Sequence, residues 1–238
     1  MRVLVLRPEP AAARTARRLT ALGHEPVLLP LSRAEHDVDA AKAALAGPHA
    51  AIAITSAEAA RLLGKLGADL DRHLSTAVFA VGQASAKAAR KAGFRFVLSA
   101  GGDGEDLAGM IAAHGGEPAG LILYLAGNPR APGFEIRLRE AGIPFRTVEC
   151  YRMMPLRPPR AEAESALLQP VPDAVLLYSR ESARAFFDLA PLSEMPDRFR
   201  ATRLLCLSRN VASAVPERFA PLAAIAPAPD EESLLALL

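Results

Sequence analysis

Few of the side chains that build metal or disulfide sites are present in this chain. It has two cysteines, Cys150 and Cys206, which lie far apart and outside any Cys-x-x-Cys pair. The five histidines match neither a His-Glu-x-x-His motif nor another paired-ligand spacing. A disulfide framework and a zinc cage are therefore not signalled, and we expect no metal.

Long apolar runs and a strong charge of one sign are also missing. No uninterrupted apolar stretch approaches the ~18 residues that a membrane helix needs, and the opening MRVLVLRPEP resembles a strand and turn rather than a signal peptide. A net charge of +2 is too mild to indicate nucleic-acid binding. We therefore expect a cytoplasmic protein that binds neither membrane nor nucleic acid.

Common nucleotide and hydrolase motifs are absent too. The first predicted strand is followed by Arg7-Pro-Glu-Pro instead of a Gly-x-Gly-x-x-Gly fingerprint. The chain contains neither a phosphate-binding Gly-x-x-x-x-Gly-Lys-Ser/Thr loop nor a Gly-x-Ser-x-Gly elbow. No cofactor is expected, and an enzyme with this sequence would work chiefly by holding its ligand in shape.

The chain does have short apolar runs that alternate with alanine-rich helical stretches, as at 3–6 and 10–22 or at 51–54 and 57–66. This alternation is typical of parallel sheets with helices on both faces, and it predicts a doubly wound α/β fold. The pattern resumes after the proline-rich segment 155–159 and predicts, among others, a helix over 211–219. A length of 238 residues suits one large domain or two small ones.

The two halves share three segments in the same order. Ser56, Gly82 and Asp103 each follow an apolar run, and Ser179, Ser208 and Asp230 follow similar runs 123, 126 and 127 residues later. Such ordered matches favour a duplicated α/β unit.

Residues directly after parallel strands are the candidates for ligand binding, because the strands' carboxyl ends and the helix N-termini meet there. Here they are small, hydroxylated, amide-bearing or basic, and Glu9 is the one acid among them. The candidates are Arg7, Thr55, Ser56, Gly82, Gly127, Arg130, Ser179, Arg180, Ser208, Arg209 and Asn210. Such an edge suits a ligand with several carboxylates or phosphates.

Each candidate also has a purely structural explanation. The serines are ordinary helix N-caps, and Thr55 with Glu58 fits a capping box. The arginines taken singly suit solvated surface charge. Tyr151 closes a strand and fits a half-buried packing tyrosine.

Ordered motifs along almost the whole chain resemble uroporphyrinogen-III synthase. They run from Leu-Val-Leu-Arg-Pro and Ile-Thr-Ser-Ala-Glu-Ala through Ala-Val-Gly-Gln-Ala-Ser-Ala and Leu-Ala-Gly-Asn to Glu-Cys-Tyr-Arg, Leu-Tyr-Ser-Arg-Glu-Ser-Ala, Leu-Ser-Arg-Asn-Val-Ala and Pro-Asp-Glu-Glu-Ser-Leu. The resemblance implies two flavodoxin-like α/β domains joined by a two-stranded linker. It places a discontinuous first domain at 1–32 and 158–238, the second at 37–149, and the linker at 33–36 and 150–157.

The resemblance also implies a function. The enzyme closes hydroxymethylbilane into uroporphyrinogen III by loss of water and inversion of the last pyrrole ring, as a carbon–oxygen lyase of porphyrin biosynthesis. Tyr151 matches the family's linker tyrosine, which assists water loss, and Thr55, Ser56, Ser179, Ser208 and Asn210 match cleft positions that hold the acidic arms. Arg209 stands where the family often has threonine or serine, which leaves the role of Asn210 open.

The resemblance further implies a monomer without cofactors that makes transient contact with the preceding enzyme of the pathway. A non-enzymatic two-domain α/β sensor or small-anion-binding protein is the alternative, since it would use the same strand ends and need no catalytic side chain. A phosphoacceptor domain would need an acidic cluster where Arg7 and Pro8 stand.

Overall fold

The structure is a computed structural model that describes residues 1–114 and 120–238. The chain divides into two compact units. Unit 1 comprises Met1–Arg33 and Met154–Leu238, and unit 2 comprises Ala34–Met153. The predicted linker segment 33–36 lies within the strand Ser32–His36, and most of the segment 150–157 lies in the strand Phe145–Pro155. The domain boundaries stay a prediction. Residues 115–119 of the predicted second domain lie outside the described residues.

Strands and helices alternate along the described chain, as the sequence predicts. The strands are β1 (Arg2–Val5), β2 (Glu25–Leu28), β3 (Ser32–His36), β4 (Ala51–Ile54), β5 (Ala77–Ala80), β6 (Val97–Ser99), β7 (Ile122–Asn128), β8 (Phe145–Pro155), β9 (Ala174–Leu177), β10 (Arg203–Cys206) and β11 (Ala223–Ile225). The α-helices are α1 (Ala11–Ala21), α2 (Val38–Ala46), α3 (Ala57–Leu63), α4 (Gln83–Lys91), α5 (Gly104–Ala113), α6 (Gly133–Glu140), α7 (Arg160–Leu168), α8 (Arg180–Phe187), α9 (Ala190–Glu194), α10 (Arg209–Ala212) and α11 (Glu231–Leu235).

Each unit is built on its own sheet. The order in unit 1 is β11-β10-β9-β1-β2, and every pair is parallel. Counted along unit 1, this is the flavodoxin order 2-1-3-4-5. The second sheet has the order β3-β8-β7-β4-β5-β6, and β4 pairs in parallel with both β5 and β7. The predicted doubly wound α/β class is confirmed.

Apart from the edge strand β3, the second sheet has the same spatial plan as the first, although the chain enters the two sheets at different strands. The spatial order β8-β7-β4-β5-β6 in one sheet corresponds to β2-β1-β9-β10-β11 in the other, with β4 equivalent to β9. The three matched segments therefore occupy equivalent places: Ser56 and Ser179 follow β4 and β9, Gly82 and Ser208 follow β5 and β10, and Asp103 and Asp230 follow β6 and β11. This equivalence supports the duplication.

The strands are apolar throughout because both sheet faces are covered. Ile52 and Ile54 of β4 pack into one buried cluster of unit 2, and Ala51 and Ala53 pack into the cluster on the opposite face. In unit 1, Val175 and Leu176 of β9 likewise enter different clusters. Alternate side chains of a strand point to opposite faces, so a central strand needs apolar residues at every position.

The helix predicted over 211–219 is wrong in extent. Helix α10 ends at Ala212, and a separate 3-10 helix covers Glu217–Leu222. Pro216 lies between them and has no N–H to continue the helical hydrogen bonds.

A half-buried carboxylate connects the elements at the carboxyl edge of unit 1. Glu231, the first residue of α11, accepts hydrogen bonds at Oε1 from Thr15 Oγ1 (2.5 Å), Arg7 Nη1 (2.7 Å) and the Tyr178 hydroxyl (2.9 Å), and at Oε2 from Arg18 Nη1 (2.9 Å). The guanidinium of Arg7 also lies 4.0 Å from the centre of the Tyr178 ring. Burial acts to raise the pKa of Glu231, but these donors outweigh it and lower the pKa from its ordinary value. The carboxylate thus joins α11 to β1, α1 and the end of β9.

We expect Glu231→Gln to lower the free energy of unfolding by about 1–3 kcal/mol at neutral pH, because two guanidinium groups lose their counter-charge. The folded pKa of Glu231 is depressed, so its contribution is present above the ordinary carboxyl pKa and is lost as the pH falls through the folded value. Urea unfolding of both proteins at neutral pH and at about pH 3.5 measures this difference.

The matched control is Glu232→Gln, which removes the neighbouring exposed carboxylate of the same helix turn. It should change stability by less than about 0.5 kcal/mol. Equal effects of the two substitutions, or a Glu231→Gln effect that does not shrink in acid, would contradict the role assigned to this carboxylate.

Candidate active site

The predicted site residues of unit 2 gather at one edge of its sheet. Thr55 and Ser56 follow β4, and Gly127 lies near the end of the neighbouring β7. Strand order reverses between these two strands, and such a switch point is where open α/β sheets bind ligands. Tyr151 of β8 pairs in register with Gly127, which adds the predicted proton donor to the same group.

Tyr151 is enclosed rather than solvated. The residue is 7% exposed and belongs to a buried apolar cluster of unit 2. Burial raises the pKa of its phenol to about 12, and a hydrogen bond with Ser56 opposes part of that rise. The phenol is therefore fully protonated at neutral pH, which a proton donor requires.

Gly127 leaves the space that the Tyr151 ring occupies. A Cβ built on Gly127 would collide with Cζ, Cε2 and the hydroxyl oxygen of Tyr151. The pairing of β7 with β8 is also irregular at this point, between Ala126 and Gly127. The sequence suggested that Gly127 contacts the ligand, and the structure shows that its missing side chain admits the tyrosine ring.

Thr55 has a different role from the predicted capping box, which is wrong. Ser56 is the N-cap of α3, and its side chain accepts a hydrogen bond from the Glu58 amide at 3.1 Å. The Thr55 hydroxyl lies 2.8 Å from the hydroxyl of Tyr124, a residue of β7 that is 1% exposed. Burial raises the pKa of Tyr124, so this phenol is also protonated.

Tyr124 was missed by the sequence analysis. Its signal is a single polar ring within the otherwise apolar strand Ile-Leu-Tyr-Leu-Ala-Gly. A buried tyrosine hydroxyl needs a partner, and Thr55 on the neighbouring strand end provides it. Two consecutive residues after β4 thus each contact one tyrosine: Thr55 binds Tyr124, and Ser56 binds Tyr151.

Acidic side chains reach this edge, contrary to the prediction of a mostly basic and hydroxylated surface. Arg130 Nη2 donates to Glu135 at 3.3 Å, and its Nη1 lies 3.9 Å from Glu149. Glu149 also accepts hydrogen bonds from Asn128 and from Arg152. The bond from Arg152 is the main reason that the pKa of Glu149 is lowered. The charge of Arg130 is therefore largely balanced by glutamates.

Another predicted site residue of unit 2, Gly82, follows strand β5. It is the N-cap of α4, and no described atom lies within 4 Å of a Cβ built on it. Packing among the described residues therefore gives no reason for a glycine here. Substrate binding at Gly82 remains a prediction.

The predicted residues of unit 1 lie along the equivalent edge. Arg7 follows β1 and is engaged by Glu231, as described above. Ser179 caps α8 through a full capping box with Ser182, and Arg180 is the first residue of that helix. Its Nε is buried and has no hydrogen-bond partner among the described residues.

Ser208 and Arg209 line a depression of about 390 Å³ at the ends of β10 and β11. The Ser208 side chain caps α10, and Arg209 and Asn210 are exposed on its first turn. Ile225, Pro227 and Pro229 supply the apolar part of the lining. The capping predicted for Ser56, Ser179 and Ser208 is confirmed, whereas ligand binding by these serines and arginines remains a prediction.

Within residues 1–114 and 120–238, no group of three histidine, cysteine or carboxylate side chains is arranged to hold a metal ion. Over the same described ranges, no helix has the length and apolar character to cross a membrane.

Comparison with solved structures supports the fold. Uroporphyrinogen-III synthetase from Helicobacter pylori superposes with a TM-score of 0.63 at 16% identity, covering 100% of this chain and 98% of that one. A mutant uroporphyrinogen-III synthase from the extremely thermophilic bacterium Thermus thermophilus gives 0.57 at 20% identity, with coverage of 99% and 96%. At these identities the likeness shows a shared two-domain α/β fold.

Comparison at the level of sequence families identifies the group. No curated protein sequence matches the chain directly. The family model described as uroporphyrinogen-III synthase HemD matches residues 13–236, which is nearly the whole chain. The chain belongs to the uroporphyrinogen-III synthase HemD family.

Proposed function

We propose that this chain is a carbon–oxygen lyase that closes hydroxymethylbilane into uroporphyrinogen III, and that Tyr151 donates the proton that releases water. Family membership supports the reaction. The observation that carries the residue assignment is the enclosure of Tyr151 at the switch point of unit 2, against Gly127 and Ser56.

The proton balance of the proposed step is simple. The Tyr151 hydroxyl gives its proton to the hydroxymethyl oxygen, the C–O bond breaks, and water leaves. The electron pair of the pyrrole nitrogen replaces the broken bond and gives an azafulvenium electrophile, leaving Tyr151 as a phenolate. Ring closure later releases a proton from carbon, and this proton restores the phenol. A phenol with a pKa of about 12 is a weak acid, so the pyrrole supplies most of the driving force.

Ring closure itself depends on orientation. The electrophile must meet the substituted carbon of the last pyrrole, through a spiro intermediate, rather than the free carbon that gives the type I isomer. Holding a flexible chain so that the reacting atoms meet is an effective-molarity contribution. The protein therefore needs many weak contacts to the substrate and few reactive groups.

The substrate's eight carboxylates suit the donors at the strand ends. We assign this binding to Thr55, Ser56, Gly82 and Arg130 in unit 2, and to residues of unit 1 that share the same strand-end position. These are Arg7, Ser179, Arg180, Ser208, Arg209 and Asn210. Arg209 and Asn210 are exposed beside a depression, which supports their assignment best. Arg7 and Arg130 already bind glutamates, so a substrate carboxylate would have to share or replace those partners.

The proposal also includes a monomer that works in the cytoplasm without cofactor and meets the preceding pathway enzyme transiently. The alternative, a two-domain binding or sensor protein, gains no support from a specific observation. Freshly generated hydroxymethylbilane, given to the purified protein, distinguishes the two. Oxidation and chromatographic separation of the porphyrin isomers should show type III, and type I alone at the uncatalysed rate would overturn the enzymatic function.

We expect Tyr151→Phe to reduce type III formation by about 10²–10⁴-fold, the usual contribution of a positioned general acid. Type I from spontaneous closure should take its place. The fold should be retained, since the aromatic ring stays, and circular dichroism checks this.

Tyr178→Phe is the matched control for that substitution, because it removes a phenol of unit 1 that binds Glu231. It should leave the isomer ratio unchanged. Full type III turnover by Tyr151→Phe would remove this hydroxyl from the mechanism.

We expect Gly127→Ala to displace the Tyr151 ring and to cost about 1–3 kcal/mol of stability together with most of the type III activity. In a Tyr151→Ala background the collision disappears, so the same glycine substitution should then cost little stability. Chemical unfolding of the four proteins of this double-mutant cycle measures the coupling.

Gly109→Ala in α5 serves as the control, because no described atom lies within 4 Å of its built Cβ. It should be neutral or slightly stabilising. If Gly127→Ala destabilises equally with and without the Tyr151 ring, the contact between these two residues is not the reason for the glycine.

A further inference from the structure

A buried histidine lies beside Tyr151 and is not used by the proposed mechanism. His36, at the end of β3, has its Nε2 atom 3.2 Å from Glu58 Oε2, and the two side chains are 7% and 9% exposed. Its other nitrogen, Nδ1, is buried and has no hydrogen-bond partner within the described part of the chain. An N–H at Nε2 that donates to the carboxylate satisfies this geometry and leaves Nδ1 as an unused acceptor.

The imidazole packs against the tyrosine ring edge-on. The ring centroids of His36 and Tyr151 are 6.3 Å apart, and the ring planes are nearly perpendicular at 88°. Such an arrangement is a favoured packing of aromatic rings. The ring of Tyr151 is therefore flanked by His36 and Gly127 and bound at its hydroxyl by Ser56.

One short segment holds both rings. Ser56 binds the Tyr151 hydroxyl, and Glu58, two residues later in the first turn of α3, binds His36. Glu58 is itself fixed by an ion pair with Arg61 one turn along the same helix. A buried carboxylate is costly without partners. Arg61 and His36 supply those partners, which explains why Glu58 is tolerated at a buried position.

Titratable or charged groups face His36 from two elements. Glu58, Arg61 and Lys65 face it from α3 and the turn after it, and Tyr151 faces it from β8. Burial, followed by the charge of Lys65, lowers the pKa of His36 from its ordinary value, and Glu58 opposes this shift. His36 is therefore mostly neutral at neutral pH and gains its charge only below the ordinary histidine pKa.

We propose that His36, held by Glu58, is a positioning residue that fixes the ring of Tyr151 between Gly127 and Ser56. Its catalytic consequence rests on the proposed function, since it acts through the Tyr151 hydroxyl and touches no reacting atom itself. The juxtaposition of the two rings is tested without substrate.

The direct test uses the small number of tyrosines. The chain has three and no tryptophan, so carbon-13 labelling of the tyrosine rings gives three sets of NMR signals. Single phenylalanine variants assign them. As the pH is lowered from neutral towards the onset of acid unfolding, the Tyr151 signals should shift when His36 gains its charge. The signals of Tyr178, which lies in unit 1, should not follow the same curve.

Two variants decide the origin of that shift. His36→Gln should abolish it, whereas His114→Gln should retain it, because His114 makes its edge-on contact with Phe79 instead. A Tyr151 signal that stays constant down to the onset of acid unfolding, or that shifts alike in His36→Gln, would overturn the proposal. Neither result depends on enzymatic activity.

Kinetics test the positioning role. We expect His36→Gln to lower kcat for type III formation about 10–100-fold, the scale of a misplaced catalytic group, with KM little changed. In a Tyr151→Phe background the same substitution should cause no further loss. An equal loss in both backgrounds would show that His36 acts independently of Tyr151 and would overturn the proposal. A wild-type protein without turnover would instead overturn the proposed function and leave the NMR test valid.

Discussion

The contact between the Tyr151 ring and the bare backbone of Gly127 is the constraint on which the candidate site depends. It removes the phenol from water, which raises its pKa to about 12 and keeps it protonated. It also brings the hydroxyl to the carboxyl edge of β4 and β7, where Ser56 binds it. A solvated tyrosine at the same position in the sequence would have neither the fixed orientation nor the low-dielectric surroundings that make a positioned donor effective.

Both units use the same sheet plan, but they fill the equivalent edges differently. In unit 2 the two residues directly after β4 form neutral hydroxyl pairs, Thr55 with Tyr124 and Ser56 with Tyr151. In unit 1 the residues after β1 and β9 are drawn into a charged cluster around Glu231. The equivalent strands β4 and β9 are therefore both followed by a capping serine, Ser56 and Ser179, while the side chains beside these serines have different roles. In the proposal, the chemistry lies in unit 2 and unit 1 contributes substrate binding.

The sequence predicts most of the fold because the relevant signals are local. Short apolar strands and capping serines can be recognised from neighbouring residues, and the three paired segments from the likeness of short stretches. The structure places them as expected. The helix predicted over 211–219 was too long, because Pro216 cannot continue helical hydrogen bonding even though its neighbours favour a helix. The candidate site was only partly predictable. Its residues were found by their position after strands, but their partners come from far along the chain: Glu231 lies 224 residues from Arg7, and Tyr124 lies 69 from Thr55. No local pattern indicates which distant acid or phenol will occupy a strand end.

The state of the Tyr151 phenol in alkali tests the central claim most directly. Near-ultraviolet absorbance of tyrosinate in the folded protein, compared with that of Tyr151→Phe, isolates the contribution of this one ring. At about pH 10.5 an ordinary tyrosine is mostly ionised. The enclosure described here predicts that the two proteins differ little at that pH, because Tyr151 remains protonated. A full equivalent of tyrosinate lost in the variant, with both proteins still folded by circular dichroism, would show that the phenol is solvated and would contradict the account.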